Sequence, residues 1–217
     1  MSKVEELALA NEMVDGRPLL KMIFTLKEES VSTMTTPIVQ LEDYNPNWEN
    51  QFAYEKRRII GAIGKQILGL EHIGSTSIKG MQAKPIIDIM VGLRDLKEVP
   101  QLVNPLEEIE FEYVPKPELI DRKLFRKGEW GQGTCHLHIC KLNSNEWKEK
   151  LWFRNYLRLN PQIAKEYVAL KKDLASRYTH DRPTYTMKKE PFIKSVIQLA
   201  RQEWGGVNRR VDCRSFP

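Results

Sequence analysis

The chain has 217 residues, which is enough for one domain-sized core with additional segments. With 41% hydrophobic and 29% charged residues it has the composition of a globular protein, so extensive disorder is excluded. No stretch approaches the ~18 consecutive apolar residues of a membrane span, and the N-terminus is too charged for a secretory signal. We therefore expect a cytoplasmic protein with no membrane partner. The formal net charge of +5 is uneven, because residues 141–217 hold 17 basic and 8 acidic side chains.

The two ends of the chain differ from its middle. Residues 1–36 contain helix-forming residues up to Met13, an Asp15-Gly16-Arg17-Pro18 turn and a polar run, and we interpret them as an accessory arm with a short helix and a possible strand. Residues 204–217 follow the last apolar pattern and contain a Gly-Gly break, so they are expected to be a loose tail. The core is predicted for residues 37–145 and a helical cap for residues 146–203.

The core pattern predicts strands and helices in alternation. Ile38 to Tyr44 is typical of an edge strand, and a helix follows it with apolar residues at helical spacing: Trp48, Phe52, Ile59, Ile60 and Ile63. Further strands are predicted at 69–73, 86–91, 111–114, 123–126 and 135–141, with a helix from about Leu96. These elements form a mixed sheet.

The last third of the chain is predicted to be helical. One helix spans Glu146 to Leu159, Asn160-Pro161 starts a second, and a third follows the break at Asp181-Arg182-Pro183. The predicted fold class is therefore α+β, a mixed β-sheet with flanking helices and a C-terminal helical cap.

The turn Gly74-Ser75-Thr76-Ser77 follows a predicted strand, where backbone N–H groups can bind phosphate oxygens. The same four residues are also typical of any polar turn. The next strand places Asp88 within an apolar run, and a buried carboxylate needs a partner such as a divalent cation. The alternative is a structural Asp88 that accepts hydrogen bonds from the backbone or from Lys84.

His136 and His138 form a His-x-His sequence on a predicted strand, so both imidazoles lie on one face. Such a pair can ligate a metal or bind phosphate, although packing or surface exposure is an equal alternative. Lys188 and Lys189 precede the last predicted helix, where cations oppose the helix dipole; a ligand or simple exposure would explain them. The three cysteines, Cys135, Cys140 and Cys213, are expected to be reduced thiols.

Taken together, these segments resemble the GrpB family, which is placed in the nucleotidyltransferase superfamily with its DNA polymerase beta palm-like fold. The resemblance extends from about Ile38 to Ala200. It is carried by EHIGSTSIKGMQAKPIIDIMVG (71–92), HLHI (136–139), FRNYLRLNPQIAKEYVALKKDLA (153–175) and DRPTYTMKKEPFI (181–193).

The resemblance implies a site for a nucleoside triphosphate and Mg²⁺ or Mn²⁺, with transfer of a nucleotidyl group to an unknown acceptor. Asp88 would be the catalytic metal ligand, with His136 and His138 as further metal ligands. Phosphate would be bound by these residues: Gly74, Ser75, Thr76, Ser77, Lys84, Arg126 and Lys189. The superfamily places a second acid two residues after the first, and here that position is Met90.

Met90 leaves two functions open. Either a histidine replaces the missing carboxylate in an active enzyme, or the fold is a nucleotide- or phosphate-binding module without turnover. Nucleic-acid binding through the basic C-terminal region is the least favoured interpretation, because aromatic and basic residues do not alternate on a strand. The oligomeric state is not readable from the sequence.

Overall fold

The computed structural model describes residues 38–129 and 132–204, together with the backbone of residues 13–14 and 17–18. Contacts divide the chain into two units, Met1–Thr36 and Pro37–Pro217. In the first unit, strands β1 (Met13–Val14) and β2 (Arg17–Pro18) pair antiparallel. The chain is thus extended at Met13, although the residues up to Met13 are of helix-forming types. The other predictions for residues 1–36, and that for the tail beyond Trp204, lie outside the described residues.

The second unit contains a mixed sheet, as the sequence predicted, but with five strands instead of six. Its strands are β3 (Gly69–Ile73), β4 (Ile87–Leu93), β5 (Glu112–Val114), β6 (Arg122–Lys127) and β7 (Cys135–Lys141). They lie in the order β3-β4-β7-β6-β5. Only β4 and β7 pair in parallel, and they form the centre of this sheet. The centre of the sheet therefore joins two segments that are far apart in sequence.

Five α-helices and two 3₁₀-helices are present among the described residues. They are α1 (Asn47–Ile63), a 3₁₀-helix at Ser75–Ser77, a 3₁₀-helix at Leu96–Leu102, α2 (Val103–Glu107), α3 (Asn145–Leu159), α4 (Pro161–Arg177) and α5 (Arg182–Trp204). None of these helices is both long enough and apolar enough to cross a membrane. The three predicted C-terminal helices are all present.

Side chains at the helix starts supply the hydrogen bonds that the first backbone N–H groups need. Asn45 Oδ1 accepts from Asn47 N (2.9 Å) before α1, and Ser144 Oγ accepts from Trp147 N (3.3 Å) before α3. Asp181 Oδ1 accepts from Thr184 N (3.0 Å) at the start of α5. These polar residues explain why the helices begin where they do.

The two faces of the sheet have different roles. On one face Ile87, Ile89 and Val91 of β4 are buried against Trp48 and Ile59 of α1, and this is the main hydrophobic core. The opposite face carries the polar side chains of β4 and β7 in addition to a small apolar cluster under α3. Strand periodicity separates the two sets, because successive residues point to opposite faces.

Two local predictions were wrong, and a third element is present but begins with a different helix type. Residues 38–44 form no edge strand; Val39 N donates to Thr179 O (2.8 Å), and Glu42 makes an isolated bridge with Ala83. Ile60, placed on the apolar stripe of α1, is 45% exposed. The helix predicted from Leu96 begins as a 3₁₀-helix with Pro100 inside it, since proline cannot donate the hydrogen bond of a regular α-helix.

The contact between the sheet and α3 depends on a glycine. A Cβ atom at Gly92 would lie 2.8 Å from Leu142 Cδ1 and 2.9 Å from Trp147 Cζ3. We expect Gly92→Ala to lower the free energy of unfolding by about 1–3 kcal/mol, measured by urea denaturation, because the packed side chains must shift. In Gly61→Ala the added methyl meets nothing within 4 Å, so this helix substitution should raise stability by about 0.5–1 kcal/mol. Equal effects of the two substitutions would contradict the packing argument.

Candidate functional site

The site is built around a turn that only glycine can make without strain. Gly74 follows β3 directly and has a φ of 72°, in the region that side chains disfavour. A Cβ atom at this position would lie 2.3 Å from Asp88 Oδ2. The absence of a side chain at Gly74 therefore lets the Asp88 carboxylate approach the backbone of the turn.

Asp88 also faces both histidines. In the parallel pairing of β4 and β7, Asp88 is opposite His136 and Met90 is opposite His138. His136 Nδ1 lies 3.1 Å from Asp88 Oδ1, and His138 Nε2 lies 3.6 Å from the same oxygen. One atom from each of the three side chains lies within 4.8 Å of those of the other two. The structure therefore brings together the three residues for which the sequence suggested metal binding.

The cluster determines which ionisation states are stable. Burial would raise the pKa of Asp88, but the neighbouring imidazoles of His136 and His138 outweigh it and lower the pKa below its usual range. Burial lowers the pKa of His138, although Asp88 opposes the effect. Asp88 is therefore a carboxylate and His138 a neutral imidazole at neutral pH, and both are the forms that ligate metal ions.

Met90, which occupies the position of the expected second acid, is part of a hydrophobic cluster. Met90 is fully buried in a cluster with Ile73, Cys140, Trp147 and Leu151. Its neighbours across the sheet are His138 on β7 and Glu71 on β3. Arg154 binds the Glu71 carboxylate at 2.8 Å. The nearby acid is thus already neutralised by a buried arginine, and no second carboxylate takes the place of Met90.

Another carboxylate reaches the site from α3. Glu146 lines the same cavity as Asp88, but its Oε1 is 2.6 Å from Arg122 Nη1 and 3.6 Å from Lys150 Nζ. Two Mg²⁺ ions on a pair of carboxylates therefore do not fit this site. One divalent ion fits, held by Asp88, His136 and His138, and the buried His138 Nδ1 atom lacks a hydrogen-bond partner among the described residues.

Three lysines converge on the other side of the cavity. Lys171 of α4 is 2% exposed; its Nζ lies 3.2 Å from Ser75 Oγ and also donates to Gln82 O. Burial lowers the pKa of Lys171 to about 7 and, together with nearby cations, the pKa values of Lys84 and Lys189 to about 8. None of the three lysines forms an ion pair with a carboxylate within the part of the chain described, so the cavity favours anions.

The cavity between these groups has a volume of about 350 Å³ and is called the site cavity below. Gly74, Ser75, Asp88, His136, His138, Lys84, Lys171, Lys189, Tyr167 and Tyr185 are among its lining residues. The tyrosine rings also contact the lysines: Lys171 Nζ is 4.9 Å from the Tyr167 ring centre, and Lys189 Nζ is 4.2 Å from that of Tyr185. Such cation–π contacts orient the ammonium groups.

Several residues predicted to bind phosphate have other contacts. Thr76 lines the cavity, but its hydroxyl donates to Ile86 O (3.2 Å). Ser77 Oγ donates to Gly74 O (2.6 Å), closing the turn. Arg126 binds Glu112 on the neighbouring strand at 2.7 and 2.9 Å and is not part of the cavity lining. Gly74, Ser75, Lys84 and Lys189 remain as the predicted phosphate-binding residues whose place in the cavity suits that role.

Lys188 and Lys189 do not stand at a helix start, because α5 already begins at Arg182. The dipole argument that singled them out was therefore wrong. Lys188 is exposed, whereas Lys189 is withdrawn into the site cavity.

Sequence reasoning missed Lys171. It lies four residues after Tyr167 and three before Leu174, so it occupies the apolar stripe of α4. A lysine within a buried stripe was the available signal, because a buried cation needs compensation.

The fold and the site together define an α+β protein with an anion-attracting cavity beside an Asp-His-His cluster. The chain belongs to the GrpB family, because the family model described as GrpB protein matches residues 38–199. The glutamate-rich protein GrpB of Alkalihalophilus pseudofirmus is 36% identical over 163 residues, covering 73% of this chain and 94% of that protein. The predicted family is thus confirmed.

The crystal structure of conserved protein GrpB from Enterococcus faecalis has the same fold. It matches with a TM-score of 0.71 and 36% identity, covering 76% of this chain and 99% of that one. A poly(U) polymerase with bound Mg and 3′-dATP also aligns, with 13% identity and a TM-score of 0.45 over 72% of this chain and 46% of that one. Likeness of that degree does not bear on activity. The predicted α+β fold, with its mixed sheet and flanking helices, is confirmed.

The contact between Gly74 and Asp88 can be tested with a matched glycine. Gly74 and Gly80 have φ values of 72° and 78°, but only a Cβ at position 74 would meet Asp88. We expect both alanine substitutions to destabilise the protein through backbone strain, of order 1–3 kcal/mol, with the larger fall in melting temperature for Gly74→Ala. The difference should shrink in an Asp88→Ala background. Equal losses in the two parent variants would contradict the contact.

Proposed function

We propose that this protein binds the phosphate chain of a nucleoside triphosphate in the site cavity and transfers a nucleotidyl group from it to an acceptor. The proposal rests on the position of the cations of Lys84, Lys171 and Lys189, which face the Gly74 turn and the Asp88 cluster across one cavity. Isolated buried cations cost free energy. Asp88 lines the same cavity but forms no ion pair with these lysines, so a triphosphate would supply negative charge at direct contact with them.

Each part of the cavity has a separate task in this proposal. Lys171 and Ser75, 3.2 Å apart, bind the terminal phosphates, and Lys84 and Lys189 offset their remaining charge. Asp88, His136 and His138 hold a divalent ion, which when bound neutralises the transferring phosphate and orients its oxygens. An acceptor oxygen would form the new bond to the α-phosphorus, pyrophosphate would leave, and the hydroxyl proton would pass to solvent. The tyrosine rings of Tyr167 and Tyr185 limit the access of water.

A second candidate function is a nucleotide-binding module that performs no transfer. It is favoured by Met90, since the fully buried methionine removes the second carboxylate that two-metal catalysis requires. Both functions need the same phosphate-binding cavity and differ only in turnover. Binding and transfer must therefore be measured separately.

Binding should depend on Lys171 and on pH. We expect Lys171→Met to weaken binding of ATP by more than tenfold in calorimetry, because a charge-assisted contact to phosphate is worth about 1.5–3 kcal/mol. Lys172→Met is the matched control, since Lys172 is the next residue on the same helix but is exposed. It should bind ATP as tightly as the parent protein.

The pH dependence follows from the lysine pKa values of about 7 for Lys171 and about 8 for Lys84 and Lys189. The lysines bind phosphate as ammonium groups, so affinity should fall as pH rises from about 7.5 to 9.5, where phosphate keeps its charge. The slope can reach about tenfold per pH unit for each proton taken up on binding. It should be shallower in Lys171→Met. Affinity that rises with pH would contradict the assignment.

Transfer should depend on Asp88. We expect Asp88→Asn to abolish transfer of label from an α-³²P-labelled triphosphate while ATP still binds through the lysines. His180→Gln removes an exposed histidine and should retain the parent's transfer. Labelling by Asp88→Asn at the parent's rate would remove Asp88 from the mechanism. ATP binding by the parent without any transfer would favour the binding module.

A further inference from the structure

We propose that Asp88, His136 and His138 form a centre for one transition-metal ion of the Mn²⁺ to Zn²⁺ series, and that this centre discriminates against Mg²⁺. The inference deepens the proposed function by assigning the class of ion, although metal binding itself does not require a nucleotide. It departs from the all-oxygen magnesium centre that the predicted superfamily would imply. The chain presents two nitrogen donors and one oxygen donor, whereas that magnesium centre would use oxygen donors only.

The backbone pairing fixes these donors in place. Asp88 and His136 are direct partners in the parallel register of β4 and β7, and His138 is two residues further along the same face of β7. Strand residues two apart share a face, so the positions of both imidazoles follow from the sheet itself. Ligands on adjacent central strands are held more firmly than ligands on loops.

The spacing suits a single ion. Neighbouring ligands at about 2.1 Å from one ion lie about 3 Å apart when their bonds are at right angles. Asp88 Oδ1 is 3.1 Å from His136 Nδ1 and 3.6 Å from His138 Nε2. All three donor atoms lie within 4.8 Å of one another, so side-chain rotation would bring them into one coordination shell. Three donors leave the remaining positions for water or phosphate oxygens from the side of the lysines.

The donor types select the ion. Mg²⁺ takes oxygen ligands and is seldom held by imidazole, whereas two histidines and one carboxylate are typical of transition-metal sites with open positions. An oxygen-rich alternative is not available among the described residues around the cavity, because their other carboxylates are already paired: Glu146 with Arg122, Glu149 with Arg201 and Glu71 with Arg154. Mg²⁺ would thus find one free carboxylate at this place.

A thiolate site is also excluded by the packing. Cys140 shares a face with His138, but it is fully buried in the apolar cluster with Met90. Cys135 lies on the opposite face of β7 in the main core. The ligand set among the described residues is therefore two nitrogens and one oxygen.

The test uses the full chain after removal of metals with a chelator. Co²⁺ is added without nucleotide, because its visible absorption bands report nitrogen and oxygen coordination directly. We expect one Co²⁺ per chain, displaced by Zn²⁺ at equal concentration and by Mn²⁺ only in excess, because Mn²⁺ is the weakest-binding ion of the series. The same excess of Mg²⁺ should displace none. His136→Gln and His138→Gln should each weaken binding by more than about tenfold, which is the smallest effect expected even for changes outside the ligand shell.

His180→Gln is the matched control, because it removes an exposed histidine outside the cluster and should leave the cobalt spectrum unchanged. The side chain of His138 is less exposed than that of His136 (14% against 33%), so melting of the metal-free variants shows whether His138→Gln still folds, and His136→Gln keeps the test valid if it does not. Displacement of Co²⁺ by Mg²⁺, parent-like binding by both histidine variants, or no Co²⁺ binding by the parent would each overturn the inference. ATP binding in Lys171→Met separates the two proposals, since that variant should lose nucleotide and retain Co²⁺.

Discussion

The close approach of Asp88 to Gly74 is the constraint on which the site depends. A carboxylate on a central strand would be costly if it faced only apolar neighbours. Because Gly74 has no side chain, one oxygen of Asp88 reaches the turn while the other faces His136 and His138. A single carboxylate thus lies between the Gly74 turn and the two imidazoles of the neighbouring strand.

The C-terminal helices supply positive charge to the cavity. The sheet side of the cavity offers the Asp88 carboxylate and two imidazoles, whereas α4 and α5 contribute Lys171 and Lys189. Lys171 is bound to Ser75 of the turn, so the helical region and the sheet meet at the point where phosphate is proposed to bind. The basic last third of the chain thus contributes two of the cations that line the cavity, Lys171 and Lys189. Most basic residues in the last third are solvated, and only a few enter the cavity.

Sequence patterns revealed the sheet and half of the site. Period-two spacing placed His136 and His138 on one face, and a polar residue in an apolar strand identified Asp88. Lys171 was not predicted, because it lies within the apolar stripe of α4 and not at a break or a helix end. Arg126 was predicted to bind phosphate, but it pairs with Glu112, 14 residues away along the chain. This pairing is set by the register of β5 and β6, which spacing along the chain does not reveal.

The absence of an acid at position 90 is related to the packing of α3 on the sheet. Met90 lies under Trp147, and a side chain at Gly92, two residues further along β4, would collide with the same tryptophan. A carboxylate at position 90 would be buried among apolar groups beside the ion pair of Glu71 and Arg154, which is costly without a partner. Recovering a two-carboxylate centre would require α3 to pack differently. In this arrangement of helix and sheet, the groups that face Asp88 from β7 are the imidazoles of His136 and His138, and the proposed choice of metal follows from their nitrogen atoms.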